Sequence, residues 1–154
     1  MAEIPRLNGM IKCFEEGKPA MGAFCTPDVE AAVAASQAKY DSIIFEMEHN
    51  IWDIRALRDC LQYMLNRKQI ADKGSVAPNV TPLVRIPANG NEMNQFLAKQ
   101  ALDIGAYGII WPHVDTVDQA YNAVAACRYP RLKTAPRYEP TGIRGDSPGT
   151  AARY

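Results

Sequence analysis

The sequence predicts an α/β fold of parallel (β/α) units, enough for about half of a (β/α)8 barrel, and three observations carry that prediction. Short, mostly apolar runs alternate with longer stretches of helical periodicity up to Cys127, the pattern of a parallel sheet joined by right-handed crossovers. The chain has 154 residues, 47% of them hydrophobic. That suffices for one core but falls well short of the roughly 250 residues of a closed barrel. From Arg128 onward, Pro130, Pro136, Pro140 and Pro148 with Gly142, Gly145 and Gly149 deny regular structure. One domain over 1–154 follows, with a lead-in helix at 5–17, βα units over 19–127 and an irregular tail over 128–154.

Taken in order, Leu7, Met10, Ile11 and Phe14 recur at helical spacing between Pro5 and Gly17. Pro19 to Cys25 reads as a first strand. Thr26 and Pro27 predict a helix start, a cap followed by a first-turn proline, and the alanine-rich run to Lys39 favours the helix. Ser42 to Met47 has the apolar run of a strand buried on both faces. Asp53 to Ile70 predicts one amphipathic helix, with Ile54, Leu57, Leu61, Met64 and Leu65 on its apolar face. Ala71 to Thr81 reads as a long loop through Gly74, Ser75, Pro78 and Asn79. Leu83 to Ile86 gives a third strand, and Asn89 to Ile104 a helix with Asn89 and Asn94 as polar residues at its start. Tyr107 to Trp111 predicts the fourth strand. Thr116 and Gln119 form a capping-box pattern that opens a helix over Val117 to Cys127.

Composition excludes several function classes. Lysine and arginine total 17 against 17 acidic residues, so nothing argues for nucleic acid or a membrane surface as partner. No apolar run approaches the roughly 18 residues of a membrane span, and the N-terminus lacks the apolar core of a secretion signal. The expectation is a cytoplasmic protein. Cys13, Cys25, Cys60 and Cys127 form no C-x-x-C pair and read as small buried residues rather than a zinc site or disulfide framework.

Candidate chemistry gathers at the strand exits, where βα sheets bind their ligands. Glu46 and Glu48 lie two apart, so a persisting strand puts them on one face, and His49 turns off into the loop. That pattern suits acid-base or metal chemistry; a solvated polar turn is the alternative. Arg85 ends an otherwise apolar strand, where a guanidinium can grip a carboxylate, or else pair with Glu46 or Glu48 across adjacent strands. His113, after Trp111 and Pro112, is either a substrate contact or a capping and packing residue. The tail carries a surplus of four positive charges, read as an anion cradle or as a solvated linker.

As an ordered set, Glu46-Met47-Glu48-His49, Val84-Arg85-Ile86-Pro87, the run from Ala101 to Ala106, Ile109-Ile110-Trp111-Pro112, Thr116 to Ala120, Arg128-Tyr129-Pro130 and Gly142-Ile143-Arg144-Gly145 resemble the HpcH/HpaI family of metal-dependent class II pyruvate aldolases. The resemblance implies a (β/α)8 barrel that cleaves a 4-hydroxy-2-oxo acid to pyruvate and an aldehyde, or runs the reverse. It implies that His49 belongs to the acid-base apparatus with Glu46 as its carboxylate partner, acting through a metal-bound water. Arg85 would hold pyruvate and the developing enolate charge, with Glu48 and Pro112 beside it.

The expected ion is magnesium, manganese or cobalt, with no ligand in this chain because the family's metal carboxylates are expected beyond Tyr154. On that expectation the isolated chain is inactive. The expected partners are a small 2-oxo acid, an aldehyde and further copies in a homo-oligomer, a hexamer by resemblance. Glu46 stands where the family usually has aspartate, and the loops Ala71–Thr81 and Leu132–Thr141 are insertions. Two other readings compete: an incomplete half-barrel that needs a second polypeptide, and a related lyase acting on acyl-CoA esters, favoured by the basic tail.

Overall fold

The computed structural model describes residues 5–87 and 93–145. Ten elements follow in order: α1 (Gly9–Glu15), β1 (Gly22–Cys25), α2 (Val29–Ser36), β2 (Ser42–Glu46), α3 (Ile54–Met64), α4 (Arg67–Lys73), β3 (Thr81–Arg85), α5 (Gln95–Asp103), β4 (Ile109–Ile110) and α6 (Val117–Cys127). The four strands form one sheet in the order β1-β2-β3-β4, all neighbours parallel. Each strand sits beside its successor, as short connections between consecutive βα units favour.

Alternation along the strands sorts side chains between two faces. Ile43, Phe45, Met47, Val84 and Ile86 enter a core with Leu57, Cys60, Leu61, Leu97, Ala98 and Ala101 from the helices. Phe45 is fully buried, worth roughly 2–3 kcal/mol relative to exposure. The opposite face carries Phe24, Ile44, Glu46, Leu83 and Arg85. Phe24 is 57% exposed there, because no element of the described residues covers it.

The lead-in helix closes the amino-terminal end of that face. Asn8 caps α1 by accepting from the Ile11 amide at 3.1 Å and donates its own amide to the Tyr107 carbonyl at 3.1 Å. The Gly9 N–H donates to Thr81 Oγ1 at 2.7 Å. A Cβ on Gly9 would stand 2.9 Å from the Asp41 carbonyl oxygen, so the helix approaches the sheet as closely as only glycine permits.

Several boundaries differ from the sequence expectation. The helix predicted over Asp53 to Ile70 is two helices. Leu65 is extended (φ −71°, ψ 102°), and Asn66 accepts from the Gln69 amide to start α4. The apolar spacing runs on through the break, so periodicity alone hides it. Helix α4 continues to Lys73 and β3 begins at Thr81, which reduces the predicted long loop to 74–80. Asp28, not Thr26, caps α2, accepting from Ala31 N. Strand β4 is shorter than expected and α1 begins later. Helix α5 starts at Gln95 with Asn94 as its N-cap residue; Asn89 lies outside the described residues. The capping box of Thr116 and Gln119 is present and α6 has its predicted bounds.

Only Cys60 is fully buried; Cys13, Cys25 and Cys127 are half-buried, and all four are free thiols. Among the described residues no helix is long and apolar enough to cross a membrane.

Residues 128–145 form no helix or strand, yet they dock. The Ile143 amide donates to Ala125 O and the Arg144 amide to Arg128 O, each at 3.0 Å. Arg144 is buried, donating from Nε and Nη2 to Asp103 Oδ1 at 3.2 and 2.8 Å, with its guanidinium 4.5 Å from the Tyr129 ring centroid. Arg128 donates to the carbonyls of Glu139 and Pro140, and Arg131 to those of Pro136 and Arg137. The chain's own oxygens therefore engage these three arginines, and neither an open cradle nor a free linker describes this part of the tail.

Candidate active site

The carboxyl ends of β2 and β3 deliver the candidate residues. Glu46 and Arg85 are register partners, so parallel pairing alone brings a carboxylate and a guanidinium together at the sheet's edge. Arg85 Nη2 donates to Glu46 Oε2. Arg85 Nε lies 3.1 Å from Glu48 Oε2 but off the angle of a hydrogen bond, so that contact is ionic. The guanidinium also stacks 4.5 Å from the Phe24 ring centroid, reaching across β2 to β1. Of the alternatives weighed for Arg85, the ion pair with Glu46 and Glu48 across adjacent strands is the one formed here.

Glu46 does not meet the imidazole of His49. Its Oε1 accepts from the backbone amides of Glu48 at 2.7 Å and His49 at 3.2 Å. A carboxylate on the last residue of a strand finds the open amides of the turn and the guanidinium across the register, and these three donors outcompete one exposed ring. Burial alone would raise the Glu46 pKa; the hydrogen bond from Arg85 and those from the two amides reverse this and hold it below the ordinary carboxylate value.

The imidazole instead stands beside Glu48, with His49 Nε2 3.5 Å from Oε2. The other Glu48 oxygen lies 3.0 Å from His113 Nε2. Glu48 is therefore the hub of the cluster, its side chain only 5% exposed. Sequence reasoning gave it a supporting part and left His113 open. The signal available was that both residues follow strand ends; what brings them together is the sheet order. Pro112 is buried and lines a cavity of about 10 Å³ with Met93, Trp111, His113 and Asn122. Phe24 was missed, and only the register of β1 on β2 could have found it.

An apolar cavity of about 50 Å³ among Leu61, Met64, Ile70, Val80, Pro82 and Tyr107 lies at the amino-terminal end of β3, away from this chemistry. Among the described residues no group of three or more histidine, cysteine, aspartate or glutamate side chains could hold a metal ion, and both strand-end carboxylates already face Arg85. These residues do not by themselves make a metal centre.

The parallel sheet with its helices is shared with proteins of one family. The model of the HpcH/HpaI aldolase/citrate lyase family matches residues 26–143. The chain belongs to this family. It is 32% identical over 125 residues to a hydroxypyruvate/pyruvate aldolase of Roseobacter denitrificans, covering 80% of this chain and 43% of that one. To a pyruvate aldolase of Rhizobium etli it is 33% identical over 152 residues, covering 97% and 50%. The crystal structure of an HpcH/HpaI family protein from Burkholderia cenocepacia superposes with a TM-score of 0.73 at 29% identity, covering 96% of this chain and 51% of that one. The chain thus spans about half the length of the HpcH/HpaI relatives it matches, and its four-stranded sheet corresponds to about half of their fold.

Proposed function

We propose that this chain supplies the pyruvate-binding half of an aldolase that reversibly cleaves a 4-hydroxy-2-oxo acid to pyruvate and an aldehyde. The observation that carries the reading is Arg85, fixed at the carboxyl edge of β3 between Glu46 and Glu48 with His49 alongside. A guanidinium so held can meet the carboxylate of a 2-oxo acid and the charge that grows on its keto oxygen as the C3–C4 bond breaks. His49, anchored by Glu48, can move the proton. The relatives named as pyruvate and hydroxypyruvate aldolases support this.

Charge balance adds a requirement. Glu46 and Glu48 oppose Arg85 alone, so an anionic substrate needs a further cation nearby, either a protonated imidazole or a divalent ion. Magnesium, manganese or cobalt would stabilise an enolate there, but its ligands would have to come from residues other than these two carboxylates. The reading carries with it an aldehyde partner and a cytoplasmic homo-oligomer.

The test is proton exchange at the methyl group of pyruvate in deuterated water, followed by NMR on the complete protein with its divalent ion. The parent should exchange, and Arg85→Ala should lose exchange by about 100-fold or more while its circular dichroism is unchanged. Normal exchange by Arg85→Ala would count against the assignment.

A further inference from the structure

His113 is the chain's second histidine, and nothing in the proposed chemistry yet employs it. It leaves β4 just after buried Pro112 in the left-handed region, at φ 56°, a conformation that side chains bearing a Cβ seldom adopt. Such strain persists where surrounding structure enforces it, often at functional sites. Its side chain reaches a carboxylate: His113 Nε2 is 3.0 Å from Glu48 Oε1, and His49 Nε2 is 3.5 Å from Glu48 Oε2. One sequestered carboxylate therefore holds two imidazoles that are themselves 68% and 71% exposed. Glu48 and His49 follow β2, His113 follows β4, and β3 with Arg85 runs between them in the sheet. Arg85 thus lies on the strand between the one that leads to His49 and the one that leads to His113.

We propose that His113 is a second catalytic residue, dividing with His49 the two proton transfers of the aldol reaction. The inference rests on the reading of Arg85 as the 2-oxo acid site. In cleavage, one imidazole takes the proton of the 4-hydroxyl as the C3–C4 bond breaks. The oxygen's electron pair forms the aldehyde carbonyl, the C3–C4 pair becomes the C2–C3 double bond, and the C2 carbonyl pair moves onto its oxygen. The enolate then re-forms its carbonyl while C3 takes a proton from the other imidazole. One proton leaves O4 and one arrives at C3, so the reaction is balanced with no other reactant.

A lone imidazole would have to serve two atoms on different carbons. Two rings on one carboxylate need not move, and Glu48 stabilises whichever is protonated. With Nε2 of His113 engaged by Glu48 at 3.0 Å, Nδ1 is the nitrogen of that ring that remains to meet substrate.

The experiment measures pyruvate methyl exchange and aldehyde release from a 4-hydroxy-2-oxo acid separately, in the complete protein with its divalent ion, for the parent, His49→Asn and His113→Asn. Asparagine tolerates the left-handed backbone at 113, so the ring is removed without new strain. The two variants should uncouple the reactions in opposite senses, each losing one reaction by about 10-fold or more beyond the other, with pyruvate affinity kept. His113→Gly, which relieves the backbone, should show the pattern of His113→Asn. If His113→Asn or His113→Gly leaves both reactions within about twofold, or lowers both by the factor by which pyruvate affinity falls, the inference is overturned. A parent that neither exchanges pyruvate protons nor releases aldehyde overturns the functional reading itself, and the inference with it.

Discussion

Glu46 and Arg85, partners in the β2–β3 register, close an ion pair at the carboxyl edge of the sheet, and the guanidinium lies against the ring of Phe24 on β1. Three strands are thus tied together by one side chain. The planar fork can face one carboxylate, approach a second and stack on an aromatic ring at once, which a point-like ammonium cannot do. Arg85→Lys is therefore expected to weaken binding of oxalate, a mimic of the pyruvate enolate, by about 10-fold or more while changing stability by no more than about 1 kcal/mol. Titration calorimetry and denaturation of the same variant check the two halves.

Glu46 links stability to acid. Its pKa is lowered in the folded protein from a value of about 4.3 in an unfolded chain. A depressed carboxyl contributes stability that is fully present above the unfolded pKa and is lost as pH falls through the folded one. The parent should lose this contribution as the pH falls below the unfolded value and through the lowered folded one. Glu46→Gln should be less stable by about 1–2 kcal/mol at neutral pH and lose less on acidification. Urea melts at a series of pH values measure both; an equal acid loss in the two proteins would contradict the coupling.

Cys60 is fully buried in the core, and burial foremost, with Cys25, Asp28 and Asp59 adding, pushes its pKa up to about 11. A raised thiol contributes stability below the unfolded pKa of about 8.5 to 9 that is lost as pH rises through 11. In the native protein at pH 8, alkylation of Cys60 should be the slowest of the four thiols and should follow global unfolding. Mass spectrometry of a labelling time course reads the order directly.

Gly142 is where the tail meets α6. A Cβ there would fall on the carbonyl oxygens of Arg128 and Tyr129, and the adjacent amides of Ile143 and Arg144 could not then keep their bonds. Gly142→Ala should destabilise the protein by about 2–4 kcal/mol and open 130–145 to limited proteolysis.

Legibility from sequence followed the range of the interactions. Strands β2 and β3 were readable because Ile43, Ile44 and Phe45, and Leu83 and Val84, are apolar runs set by their own burial. The capping box of Thr116 was readable because both of its partners lie within four residues. The break at Leu65 was not, since Asn66 competes with an apolar rhythm that continues past it. Nor was the tie from Glu48 to His113, whose contact exists only once the sheet is assembled. The pairing of Arg85 with Glu46 or Glu48 was legible from their places at neighbouring strand ends, but the Phe24 ring against its guanidinium became known only with the register. The tail's arginines misled for the same reason: Arg144 reads as free charge until Asp103 and Tyr129 are placed around it.

The central claim is that Arg85 and His49 flank one small 2-oxo acid at the carboxyl edge of the sheet. A crystal structure of the complete protein with oxalate bound tests it most directly. The expected result is an oxalate oxygen within about 3 Å of the Arg85 guanidinium, with the His49 ring over the same molecule. Oxalate bound at the amino-terminal end of the strands, with Arg85 still closed on Glu46 and Glu48, would contradict it.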